Sequence, residues 1–192
     1  MTRQIPLVLV VTFLSLPYPA FLPESRGAVD VLVEASLTVD GRVVTDHDAA
    51  LKQSPLREIL AAFARAETAV QNRDLDTLMN FCAKAYNHHG LKQAEVRRIC
   101  GEIFDHYRDL SSTHLFSVVK VFRLGDPLRA EIICTGGLYD TELQGGKKIT
   151  LDSWFREVHY LVREDGAWRF LGNAGDAPQT APATSVPHHP LF

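Results

Sequence analysis

The chain predicts an α+β fold, with amphipathic helices first and a curved antiparallel sheet second. Three observations carry that reading. Apolar residues recur at helical spacing between 54 and 110, and they alternate between 115 and 172. The alternating region closes on Arg163-Glu164-Asp165-Gly166-Ala167-Trp168, a tight Asp-Gly hairpin leading into a last strand. Helices laid over a curled sheet enclose a cone with an apolar interior. A length of 192 residues, 46% of them hydrophobic, suits one such domain with short extensions.

Taken in order, the chain begins with Arg3, an apolar run over 5–16 and a Pro-rich exit at Pro17, Pro19 and Pro23. This is the layout of a secretory signal peptide, and the run is too short to span a bilayer. Cleavage is expected between Ala20 and Ala28. Residues 1–27 are therefore assigned to the signal, and the mature chain is expected to be exported, periplasmic or secreted, without a stable membrane span. No Cys follows the apolar run, which disfavours a bacterial lipid anchor. Residues 28–53 alternate loosely around Asp40-Gly41 and read as a hairpin or extended arm.

The main domain, 54–173, opens at Ser54-Pro55, with Ser54 as cap and Pro55 in the first turn of a helix. Leu56, Ile59, Leu60, Phe63 and Val70 form the buried stripe of this first helix. Glu67 lies four residues after Phe63, either at the edge of the stripe or in a polar spot of a cavity. Asp74 caps a short second helix ending near 83. The segment Tyr86-Asn87-His88-His89-Gly90 breaks the pattern. A third helix runs from 92 or 93 to about 110, burying Val96, Ile99, Cys100, Ile103, Phe104 and Tyr107. Strands follow over 115–124, 128–138 with a continuation to 143, 148–163 and 168–173. Residues 174–192 are rich in Pro, Thr and Ala and read as a disordered tail.

Charge and cysteine usage narrow the function classes. The net charge of −3 is dispersed, and no run of Lys or Arg could neutralise a row of phosphates, so nucleic acid is not an expected partner. Cys82, Cys100 and Cys134 are an odd set; the first two could bridge, but each sits among apolar residues and is expected to be buried and inert. No Cys/His ligand spacing predicts a zinc site.

The run Gln71-Asn72-Arg73-Asp74-Leu75-Asp76-Thr77-Leu78, the helix after it and the final 160–170 segment Tyr-Leu-Val-Arg-Glu-Asp-Gly-Ala-Trp-Arg-Phe resemble the nuclear transport factor 2-like superfamily, over roughly 56–173. The resemblance implies a cone of three N-terminal helices packed on a curved antiparallel sheet. That superfamily holds SnoaL-like polyketide cyclases, steroid isomerase-like enzymes and dehydratases beside transport adaptors and assembly domains, so fold does not settle function. Matched to the isomerase branch, the cavity Tyr position falls near Ala66 and the base Asp position near His89, allowing one deletion; neither family residue is kept. The second acid position falls near Glu157 or Val158.

Candidate site residues follow from these placements. His88 and His89 sit at the expected cone mouth, and histidine exchanges protons near neutrality. Neighbours on an extended segment point to opposite sides, so one of the two enters, and His89 is the candidate base with Glu67 orienting it. Phe63, Tyr86, His88, Tyr107, Trp154, Arg156 and Tyr160 are the candidate ligand-binding residues. Along the third long strand Trp154, Arg156, Val158 and Tyr160 would share one face, and Phe155, Glu157, His159 and Leu161 the other. Consecutive histidines without a second spaced pair predict no metal site, and no cofactor is expected. Two mixed sheet faces fit a homodimer through the sheet. The leading functional expectation is a non-catalytic exported domain holding a small apolar ligand or meeting an envelope protein. The alternatives are a cofactor-independent lyase or isomerase acting on a hydrophobic carbonyl compound, and a purely structural envelope module.

Overall fold

The computed structural model describes residues 28–123, 127–141 and 147–173. The expected signal over 1–27 and the expected disordered tail over 174–192 lie outside the described residues. The described elements form the α+β architecture that the sequence predicts, helices packed on a large curved sheet.

The described residues start with β1 (Ala28–Val39) and β2 (Arg42–Val44), an antiparallel hairpin joined at Asp40-Gly41. More than an arm, β1 pairs in parallel with a central strand of the main sheet. A short helix α1 (His47–Leu51) follows, capped by the Asp46 carboxylate, which accepts from the Asp48 and Ala49 amides. Helix α2 (Ser54–Asn72) carries Pro55 in its first turn, where the missing N–H costs nothing, and ends on Arg73 in the left-handed conformation. Its N-cap is Gln53 rather than Ser54. Helix α3 (Leu75–Phe81) begins where the sequence predicts, with Asp74 accepting from Thr77 N at 3.0 Å.

The chain then departs from the expected pattern. Residues assigned to the end of a helix and a break form β3 (Cys82–His88), paired in parallel with the final strand, and β4 (Leu91–Lys92) folds back on it. Helix α4 (Gln93–His106) stops four residues before the expected end, with Tyr107 as its C-cap. Four long strands complete the sheet: β5 (Ser111–Arg123), β6 (Leu128–Thr141), β7 (Lys148–Glu164) and β8 (Ala167–Gly172). The order is β2-β1-β5-β6-β7-β8-β3-β4, antiparallel except at β1–β5 and β3–β8.

Helix α2 lies across the sheet against β5, β1 and β8, and Phe63 on it anchors the core. Its ring meets Phe81, Phe116 and His114 edge-on at 5.0, 5.0 and 5.2 Å. Among the described residues no helix is long and apolar enough to cross a membrane.

One irregularity sets the phase of the inner face. Cys134 pairs with Glu157 and Gly136 with Trp154, so Phe155 and Arg156 together oppose Thr135 in a β-bulge. Arg156 takes φ +52° and donates its N–H to Thr135 Oγ1 at 3.0 Å. Alternation therefore skips a beat. Trp154 stays inside, and Glu157, His159 and Leu161 join it on the inner face. Phe155 and Arg156 are exposed, and Val158 and Tyr160 lie on the outer face. The expected shared face of Trp154, Arg156, Val158 and Tyr160 is thus corrected, and Arg156 and Tyr160 do not line the interior.

Candidate functional site

Four histidines and two glutamates gather in two clusters. The deeper cluster is built by α2 and β5. Glu67 is one helical turn beyond Phe63 and faces the same strand, so it is buried beside His114, whose Nδ1 is 2.9 Å from Glu67 Oε1. Ser112 flanks Glu67, and Trp154 lies 5.1 Å from the His114 ring. Burial pushes the Glu67 carboxyl up to about 7, with the Ser112 side chain pulling the other way. Burial pushes His114 down to about 3. Both shifts disfavour charge, so below neutral pH the pair is a carboxylic acid donating to the Nδ1 of an uncharged imidazole. The alternative of Glu67 at a helix edge is corrected, and its partner is His114 rather than His89.

The outer cluster is built by the β3–β4 hairpin, β7 and the end of β8. His89 and Gly90 are the two loop residues of that hairpin and both take positive φ, +49° and +85°. This is the conformation of a tight two-residue hairpin turn. Asn87 Oδ1 accepts the Gly90 N–H at 3.1 Å and holds the turn closed. The turn has a chemical consequence. His88 faces inward as the last strand residue, and His89, released from strand alternation, swings its ring back toward the same spot. The rings meet edge-on at 4.3 Å. Glu157 receives both: His89 Nε2 is 2.7 Å and His88 Nε2 3.5 Å from Glu157 Oε1. The expectation that only one histidine of the pair enters is corrected by the left-handed backbone at His89.

Asn173 fixes the His89 ring. Its Oδ1 accepts the His89 backbone N–H at 2.8 Å, which leaves Nδ2 to donate to the ring. That nitrogen is 3.1 Å from Nδ1 and 3.4 Å from Nε2, and Nε2 is already engaged by Glu157. From this network the hydrogen is assigned to Nε2, donating to the Glu157 carboxylate. Asn173 is itself held close because Gly172, at φ +89°, lets the chain run against β3; a Cβ there would overlap the Asn87 carbonyl.

The cluster grades from buried to open. The His88 side chain is fully buried, while those of Glu157 and His89 keep 15% and 26% of their exposure, so they form the solvent-facing part of the cluster. His159 is buried behind them, 5.9 Å from His88 and edge-on to Phe170, and is pushed down to about 3 by burial and then by His114 and His89. Of the other predicted ligand-binding residues, Phe63 and Trp154 sit in the interior and Tyr86 is buried beside His88 and Phe170. Tyr107 is half-buried at the end of α4. Sequence reasoning did not single out His114 or Asn173 and left the phase of Glu157 open. The partners lie 47, 84 and 68 residues apart along the chain, and no local pattern links them.

Cys82, Cys100 and Cys134 are buried and free. Trp154 Nε1–H donates to Cys134 Sγ at 3.4 Å, which fixes the indole beside His114.

No family model and no curated protein matches the chain. Several solved structures are similar in fold. A protein of unknown function from Mycobacterium tuberculosis is 17% identical, covering 62% of this chain and 68% of its own, with a TM-score of 0.46. Aln2 from a Streptomyces species is 15% identical, covering 62% and 88%, with a TM-score of 0.49. A proposed dehydratase of the nuclear transport factor 2-like family from Streptomyces avermitilis is 16% identical, covering 61% and 91%, with a TM-score of 0.44. At these values the likenesses carry no argument about the site.

Proposed function

We propose that the outer cluster binds a small carbonyl compound and moves a proton on it without a cofactor, as a lyase or isomerase. The observation that supports this is the His89–Glu157 pair, at hydrogen-bond distance, partly open to solvent and backed by a buried apolar wall. Glu157 is the group that takes the proton. His89 donates to one of its oxygens and leaves the other for the substrate, so the base expected at His89 shifts to its carboxylate partner. Asn173 and His88 hold the pair in place. Export of the domain belongs to the same proposal and rests on Arg3 and the apolar run that follows.

The test is hydrogen exchange on a panel of small hydrophobic ketones and aldehydes in D2O, followed by NMR. Wild type should exchange the proton beside the carbonyl of at least one compound, and Glu157→Gln should lose about a hundredfold or more of that rate. Both proteins should melt at nearly the same temperature. Exchange at the buffer rate with wild type, or an equal rate with the variant, would overturn the reading.

A second reading is favoured by Phe155, which is 80% exposed on the outer face. In it the domain is non-catalytic, holds a small apolar ligand and pairs through the sheet with a second copy or an envelope protein. Native mass spectrometry separates this reading by oligomeric state and by any co-purified small molecule. A dimer that Phe155→Ser turns into a monomer would support it; a monomer for both would sink the homodimer.

A further inference from the structure

We propose that His88, His89 and Glu157 bind a divalent transition-metal ion, in competition with the hydrogen bond that the proton-transfer reading uses. One ligand atom from each lies within 4.8 Å of the other two. The 3.5 Å between His88 Nε2 and Glu157 Oε1 is close to the ~3.3 Å edge of a tetrahedron with ligands about 2.0 Å from the ion. The 2.7 Å between His89 Nε2 and Glu157 Oε1 must open by a few tenths of an ångström. That is a side-chain adjustment at the half-open end of the cluster.

Three features make this more than a chance grouping. The hairpin turn at His89 and Gly90 directs two consecutive rings to one point, which a strand cannot do. The β7 bulge brings Glu157, and not Arg156, to the inner face opposite them. Burial is also graded: His88 is a fully buried inner ligand, whereas His89 and Glu157 keep partial exposure, the side from which an ion would enter. Two imidazoles and one carboxylate suit Zn(II), Co(II), Ni(II) or Cu(II) rather than Mg(II) or Ca(II), and three protein ligands leave a coordination position open.

Binding and the resting hydrogen bond exclude each other. An ion on Nε2 takes the lone pair, so the ring hydrogen must sit on Nδ1, where Asn173 currently presents its NH2. The amide must turn its oxygen to that hydrogen and release the His89 backbone N–H. Asn173→Asp supplies an acceptor there without any turn, in the manner of a carboxylate behind a metal-bound histidine. It should therefore tighten binding.

The test uses the full chain, stripped with a chelator and desalted, titrated with Co(II) by visible absorption and with Zn(II) by calorimetry. Wild type should bind one equivalent with a d–d spectrum of low coordination number. Glu157→Gln should weaken binding by at least tenfold, Asn173→Asp should strengthen it, and excess Mg(II) should leave it unchanged. The double change His188→Ala with His189→Ala controls for the second histidine pair and should behave as wild type. His89→Ala should weaken binding by at least tenfold as well, and if it fails to fold, His89→Asn, which suits the left-handed turn, replaces it with the same expected loss. No binding by wild type, or undiminished binding by the folded Glu157→Gln variant, would overturn the proposal. Because no substrate is involved, either result is independent of the proton-transfer reading.

Discussion

The Glu67–His114 pair makes a quantitative prediction about stability and pH. Glu67 has its carboxyl raised from 4.5 to about 7 in the folded chain, so its contribution is fully present below pH 4.5 and is lost as pH rises toward 7. His114 is lowered from 6.5 to about 3, so its contribution is present above pH 6.5 and is lost as pH falls toward 3. Between pH 4.5 and 6.5 the two nearly cancel. In that window the unfolded pair holds one proton, on His114, and the native pair also holds one, on Glu67. Equal proton counts give no slope.

Removing either partner unbalances the count. Glu67→Gln keeps the shape but leaves a native site with no proton against an unfolded His114 with one, so stability should rise with pH. His114→Gln leaves one native proton on Glu67 against none in the unfolded chain, so stability should fall with pH. Each slope is about 1.4 kcal/mol per pH unit, or about 3 kcal/mol across the two-unit window. The curves of the two variants should therefore diverge by about 6 kcal/mol. Urea denaturation at pH 4.5, 5.5 and 6.5, read by tryptophan fluorescence and referred to wild type at each pH, measures this directly. His159 and the remaining groups titrate in all three proteins and cancel in the differences. Variant curves running parallel to wild type would refute the claim that burial keeps both groups uncharged.

Two further predictions concern packing. Gly136→Ala places a Cβ against the Thr113 carbonyl oxygen and the Trp154 indole, both fixed by the sheet, and should cost about 1–3 kcal/mol or more; an unchanged melting temperature would refute that close approach. Burial pushes the Cys82 and Cys134 thiols up to about 12 and raises Cys100 as well, so a thiol reagent should label none of the three rapidly in the native protein and all three in denaturant.

Much of the fold was legible because its signals are local. The Asp74 cap, the α2 stripe, the long alternating strands and the Asp165-Gly166 turn each occupy a few consecutive residues. Strand β3 was not, because its stability comes from parallel pairing with β8, more than 80 residues away. The site was only half legible for a related reason. His88 and His89 stood out by type, but their partners come from across the sheet, and the alternation rule places Glu157 and His89 only if no residue breaks step. Both phases turn at non-glycine residues in left-handed backbone: His89 at φ +49° in the hairpin turn and Arg156 at φ +52° in the bulge. Such positions cost about 1–3 kcal/mol where the side chain is unsuited, and they persist where surrounding pairing determines them. Here the two departures act together. Without the turn, His89 would point away from His88; without the bulge, Glu157 would lie on the outer face of the sheet. The local rules fail at the two residues whose conformation assembles the cluster, which is where strain tied to function is expected to collect.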